Sequence, residues 1–170
     1  MKKKIVFIMN PISGTSSKAA VPSLIDSTLD KEQFEYEIKM TERPGHASEL
    51  AAEARDNHAD IVVAVGGDGT VNEVARSLVH SDSALGILPC GSGNGLARHL
   101  LLPMNLKKSI EIINACKIHD LDYGVINEYP FFCTCGMGFD AFVSMKFAES
   151  GKRGPISYAE NILREGLKYE

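Results

Sequence analysis

The sequence predicts an α/β protein, a mostly parallel sheet with helices on both faces, followed by the start of a β-rich second lobe. Three observations carry this. Short apolar runs alternate with apolar stripes at helical spacing, the pattern of repeated strand–helix units. Ile61 to Val65 is apolar throughout, as a strand covered on both faces must be. Glycine-, proline- or asparagine-rich loops follow the runs at 10–14, 41–45, 66–70 and 89–95. In a parallel sheet all four fall at strand carboxyl ends and converge on one crevice.

Taken in order, Lys4 to Met9 reads as a strand ending in the turn Asn10-Pro11-Ile12-Ser13-Gly14, and a helix is expected from about Ser17 to Leu29. Phe34, Tyr36, Ile38 and Met40 alternate with Glu35, Glu37 and Lys39, which gives a strand with one exposed face. Ala47, Leu50, Ala51 and Ala54 form a helical stripe after Thr41 to Gly45. Val71, Val74, Ala75, Leu78 and Val79 form another after Ile61–Val65. Leu85 to Leu88 is a fourth strand, running into Pro89-Cys90-Gly91-Ser92-Gly93-Asn94-Gly95 and a helical segment from Leu96. Leu106, Ile110, Ile113 and Cys116 predict a further helix, and Ile118 to Ile126 returns to strand character.

The pattern changes near Asp122. Asn127-Glu128 reads as a hairpin turn into an antiparallel strand, Pro130 to Cys135, followed by helices at Phe139–Glu149 and Ile156–Tyr169 around the loop 150–155. The expected division is an α/β domain at 1–121 and an incomplete second lobe at 122–170. Because the sequence stops inside a helical pattern, a truncated chain is expected.

At 170 residues and 44% hydrophobic, the chain is able to bury a real core. A net charge of −4 excludes an electrostatic nucleic-acid binder, which needs a concentrated basic face. The apolar run behind Met1-Lys2-Lys3-Lys4 is too short for a signal or a membrane span, so a cytoplasmic protein is expected, meeting lipid only at the bilayer surface. Cys90, Cys116, Cys133 and Cys135 are read as unpaired, with Cys133 and Cys135 as small buried hydrophobes on one strand face. The five histidines have no metal-ligand spacing.

Chemistry concentrates in Val63 to Glu73, where an apolar strand stops at Gly66-Gly67-Asp68-Gly69 and a helix begins. Gly66, Gly67 and Gly69 permit positive φ and close approach of phosphates to the main chain, while the next helix turns its first N–H groups to the anion. Asp68 is the odd member. A carboxylate beside phosphates is repulsive unless it holds Mg²⁺ or accepts a proton. The bland alternative is a tight turn capped by Asp68.

Asn10-Pro11-Ile12-Ser13-Gly14, Gly66-Gly67-Asp68-Gly69-Thr70-Val71-Asn72-Glu73 and Pro89 to Arg98 together resemble the catalytic domain of diacylglycerol and sphingosine kinases, the bacterial soluble lipid kinases most of all. Asp122 two residues before Gly124, Gly136-Met137-Gly138-Phe139-Asp140-Ala141 and Ser157-Tyr158-Ala159 resemble that family's continuation. The Gly-Gly-Asp-Gly turn is shared with NAD kinases and phosphofructokinases, whose nucleotide lobe is of the same kind. The Asn-Pro start and the Gly91 to Arg98 loop select lipid kinases.

The resemblance implies ATP bound by Asn10, Pro11, Ile12, Ser13, Gly14, Thr41, Gly66, Gly67, Asp68, Gly69, Thr70, Val71, Asn72, Glu73, Gly91, Ser92, Gly93 and Asn94. It further implies Asp68 as the catalytic carboxylate, with Asp68 and Asp122 near Mg²⁺. Asp122 read by itself is equally a solvent-facing strand residue. Ser92 stands where diacylglycerol kinases usually have Thr, and Gly95 where bacterial ones commonly have Asp in a magnesium network; the latter is closer to sphingosine and ceramide kinases. The implied activity is transfer of the ATP γ-phosphoryl group to a lipid hydroxyl at a membrane surface, by a two-lobed enzyme whose second lobe carries the lipid pocket and a further acid. A homodimer is a further expectation. Lys2 to Lys4, Lys152 and Arg153 would favour anionic lipid, or form solvated charged loops. The alternatives are a nucleotide-binding module without catalysis and a soluble kinase for NAD or a sugar phosphate.

Overall fold

Four short runs rich in apolar residues, β-branched above all in β1 and β3, are parallel strands in the computed structural model: β1 (Lys3–Met9), β2 (Phe34–Met40), β3 (Ile61–Gly66) and β4 (Ala84–Pro89). The structure describes residues 2–12 and 18–149 and position 162. The sheet order is β2-β1-β3-β4. Met9 pairs with both Met40 and Val65, and Gly66 pairs with Pro89, so the strands end level with one another. The chain leaves β1 toward one edge and β3 toward the other, and the loops after these two central strands therefore flank the switch point of the sheet.

Alternation along the strands sorts the core into two layers. Ile5, Phe7, Met9, Val63 and Val65 pack with Val21 and Ile25 of α1 (Val21–Thr28) and with Ile110 and Ile113 of α5 (Leu106–Ala115). Val6, Ile8, Val62 and Ala64 pack on the opposite face. There they meet Ala47, Ala51 and Ala54 of α2 (His46–Asp56), Val71, Val74 and Leu78 of α3 (Asp68–Leu78), and Leu96 and Ala97 of α4 (Gly95–His99). Each large aliphatic side chain buried this way contributes about 1.5–3 kcal/mol. The result is the predicted α/β sheet with helices on both faces.

Three local expectations change. Helix α1 starts at Val21 rather than near Ser17, because Pro22 is tolerated only in a helix's first turn. Ile118 to Ile126 is strand only over β5 (Gly124–Ile126). Among the described residues no strand pairs with 118–123, and alternation without a ladder partner does not make a strand. β6 is Tyr129–Phe131, and the chain leaves it before Cys133. The hairpin itself is as expected, antiparallel with Ile126 opposite Tyr129. Asn127 and Glu128 both have positive φ (46° and 70°), the geometry of a two-residue turn that matches strand twist.

A two-stranded hairpin is not stable alone. It is docked on α3: Arg76 Nε donates to the Pro130 carbonyl at 3.1 Å, and the Tyr123 hydroxyl meets His80 Nε2 at 3.0 Å. Helix α6 (Phe139–Glu149) follows, and the helix expected at 156–169 lies outside the described residues. No described helix is long and apolar enough to cross a membrane.

All four cysteines are free, and Cys133 and Cys135 are exposed rather than buried, since β6 ends before their alternation begins. Burial pushes the Cys90 thiol above its ordinary range, with the Lys18 ammonium opposing. A thiol above its ordinary pKa is less often the reactive thiolate. With limiting iodoacetamide near pH 8, mass spectrometry is expected to find Cys133 and Cys135 labelled before Cys90. Cys90 labelling as fast as either would contradict the burial pattern.

Candidate nucleotide site

The four loops enclose a crevice of about 480 Å³ at the carboxyl edge of the sheet. Asn10–Ile12 line it after β1, Thr41–Pro44 after β2, Gly67–Thr70 with Glu73 after β3, and Gly91–Gly93 after β4. Ser13 and Gly14 lie outside the described residues. Gly66, Val71, Asn72 and Asn94 belong to the same loops and to α3 but do not line the space: Val71 packs in the core and Asn94 is buried behind the last loop.

The two glycine loops touch backbone to backbone. A Cβ on Gly91 would lie 2.4 Å from Gly67 Cα, and one on Gly66 would lie 2.4 Å from Thr70 Oγ1. These glycines are needed for proximity and not for a left-handed backbone, because among the described glycines only Gly45 and Gly138 have positive φ. The positive φ that glycine permits at 66, 67 and 69 is not used there. Nothing lies within 4 Å of a Cβ built on Gly69, which leaves open space beside the first turn of α3. The first N–H groups of a helix have no partner within it and favour an anion there.

Asp68 spans the two loops. Its Oδ2 accepts from Asn94 N at 2.9 Å and its Oδ1 from Gly95 N at 2.6 Å. The carboxylate therefore reaches across to the other loop and fixes the loop after β4 to the start of α3. Asn94 closes that loop from within. Its Oδ1 accepts from Gly91 N and its Nδ2 donates to the Gly91 carbonyl, both at 2.8 Å. Arg98 Nε adds a bond to the Gly93 carbonyl at 2.9 Å. Asp68, Ser92 and Gly93 remain exposed on the crevice side.

Glu73 lies one turn further along α3, and its carboxylate accepts from Gly45 N and Ala47 N, both at 3.2 Å. It thereby caps α2 from the neighbouring helix and holds the loop after β2 in place. Thr41 is buried, its N–H bonded to the Met9 carbonyl. Asn10 Nδ2 reaches Thr70 Oγ1 at 3.4 Å, and Asn10 Oδ1 accepts from Ile12 N at 3.1 Å. Lys18 escaped the sequence reading: its buried ammonium donates to the Asn10 carbonyl at 2.8 Å and supports that loop from behind. Nothing in its neighbourhood in sequence marks it, because the contact depends on how residues 18–20 turn back.

Among the described residues, Glu42, Asp68 and Glu73 are the carboxylates on the crevice wall and Arg43 is the one cation. Arg43 makes a bidentate pair with Glu49 at 2.8 and 2.6 Å, which holds the Glu49 carboxyl below its ordinary range. Both side chains are exposed, and such a pair stabilises little. Among the described residues no cluster of three or more His, Cys, Asp or Glu is arranged to hold a metal. Asp122 is exposed and outside the crevice wall. Mg²⁺ commonly uses one or two carboxylates with substrate phosphates and water. Asp68, exposed beside a glycine turn, fits an ion carried on a nucleotide, with phosphates and water as its other ligands.

Comparison with known proteins identifies the family of the chain. Residues 4–126 match the diacylglycerol kinase catalytic domain family. A diacylglycerol kinase of Staphylococcus saprophyticus is 32% identical over 163 residues, covering 93% of this chain and 53% of that protein. One from Staphylococcus epidermidis is 31% identical, covering 93% and 51%. The chain thus spans about half the length of the curated relatives it matches. A crystal structure of a diacylglycerol kinase from Bacillus anthracis str. Sterne superposes with a TM-score of 0.65 at 24% identity, over 76% of this chain and 48% of that one, and it supports the fold. With the match to the family running from β1 through β5, the chain belongs to the diacylglycerol kinase catalytic domain family.

Proposed function

We propose that the crevice binds Mg²⁺·ATP and that the protein transfers the γ-phosphoryl group to the hydroxyl of a lipid of the diacylglycerol or sphingoid type. The observation that supports this most is Asp68, an exposed carboxylate fixed between two glycine loops at the switch point of the sheet. Main-chain N–H groups of the first turn of α3, together with the Ser92 hydroxyl, would take the phosphate oxygens. When bound, Mg²⁺ would offset charge on the phosphates, with Asp68 its nearest protein carboxylate, directly or through water. The acceptor oxygen forms a bond to Pγ as the bond from Pγ to the bridging oxygen of ADP breaks, and the hydroxyl proton passes to Asp68 or to solvent.

The four-loop geometry equally supports a module that binds nucleotide without turnover. One assay separates the two. Incubation with γ-labelled ATP, Mg²⁺ and mixed micelles of diacylglycerol, monoacylglycerol and sphingoid bases should label the lipid phase, whereas ATP binding with no labelled lipid would favour the module.

Asp68→Asn leaves one acceptor oxygen where two N–H groups need partners. It is expected to lower stability by about 1 kcal/mol and transfer by about 100-fold or more, with ATP affinity changed only a few-fold. Undiminished turnover would remove Asp68 from the chemistry. Gly91→Ala drives a methyl into Gly67 and is expected to cost about 1–3 kcal/mol and to weaken ATP binding by about tenfold or more. Wild-type affinity measured by calorimetry would contradict the close-approach argument.

A further inference from the structure

Leu101 carries two costs at once. Helix α4 ends in a Schellman arrangement, with Leu102 N bonded to the Ala97 carbonyl and Leu101 N to the Arg98 carbonyl. The residue at the turn of this motif adopts the left-handed conformation and is usually glycine, yet here it is leucine with φ of 56°. Its side chain is 89% exposed, the highest value among the large apolar residues described, and Leu100 beside it is also exposed. Among the described residues no packing offsets either cost.

The flanking sequence is cationic. Between Asp82 and Glu111 there is no acidic residue, while Arg98, Lys107 and Lys108 stand exposed on either side of the leucines, in a chain whose net charge is −4. The connection from α4 to α5 passes from one helical layer to the other, around the β4 edge of the sheet, and the two leucines sit at its start.

We propose that Leu100 and Leu101 are a docking element that enters the headgroup–acyl boundary of a bilayer containing anionic lipid, with Arg98, Lys107 and Lys108 facing its charge. Apolar burial in the boundary would offset the exposure of both leucines, and charge attraction adds to it. The proposal rests on the lipid-kinase reading only in that an acceptor dissolved in a bilayer gives the docking a purpose; vesicle binding requires neither ATP nor transfer. Failure of transfer in the labelling assay and failure of docking are therefore read separately.

The sequence contains no tryptophan, so Leu101→Trp places a single reporter at the tip. Vesicles of phosphatidylcholine with phosphatidylglycerol should shift its emission to the blue, and brominated acyl chains should quench it. Leu101→Gly should weaken vesicle sedimentation about tenfold while raising the melting temperature by about 2–4 °C, opposite directions that an ordinary packing residue would not give. Lys107→Gln with Lys108→Gln should weaken binding to anionic vesicles and leave binding to neutral ones unchanged. Emission unchanged by vesicles, or equal sedimentation of Leu101→Gly and wild type, would overturn the proposal. So would self-association that depends on Leu101 in the absence of vesicle binding, which would assign the tip to a second copy of the chain.

Discussion

The site depends on one contact, the meeting of the Gly67 and Gly91 backbones under the Asp68 carboxylate. Two loops that leave neighbouring parallel strands would otherwise be separate and solvated, each paying its own ordering entropy. Removing two Cβ atoms lets them touch, and an ionised carboxylate accepting two main-chain N–H bonds fixes them at a charge-assisted strength greater than that of neutral pairs. The same oxygens face the crevice. In the proposed reaction the side chain that joins the two loops is also the one that acts on the phosphates, so stability and chemistry would draw on a single carboxylate.

The sheet makes that contact possible. Because β1, β3 and β4 end in register, with Met9 opposite Val65 and Gly66 opposite Pro89, the loops after them leave at one level. Helix α3 then links the parts of the wall: Asp68 at its start holds the loop after β4, and Glu73 one turn on holds the loop after β2 through the N-terminus of α2. Arg76 and His80, near its far end, hold the β5–β6 hairpin. A single helix thus joins the crevice to the region where the second lobe was expected to begin.

Much of this was legible in the sequence because the strand and helix periods of the described residues up to Cys116 agree with the tertiary structure. Ile61–Val65 reads as a doubly covered strand and is one, and Asn127-Glu128 reads as a hairpin turn and takes the two positive φ values such a turn requires. The glycine loops were legible in place but not in cause, since composition cannot separate a glycine needed for φ from one needed for close approach. Residues 118–123 and Cys133–Cys135 alternate like strands yet have no ladder partner among the described residues, and alternation states nothing about partners. Lys18 and the capping role of Glu73 depend on contacts with distant loops, which no local pattern encodes.

The central claim is that these loops form one nucleotide site held by Asp68. Titration of the ¹⁵N-labelled protein with Mg²⁺·ATP tests it most directly, since glycine amides occupy a distinct spectral region. The account predicts that Gly67, Gly69, Gly91 and Gly93 shift together along one saturation curve, with Gly45 and Gly86 far less affected. Saturation without movement of those four, or movement confined to residues away from the carboxyl edge of the sheet, would contradict it.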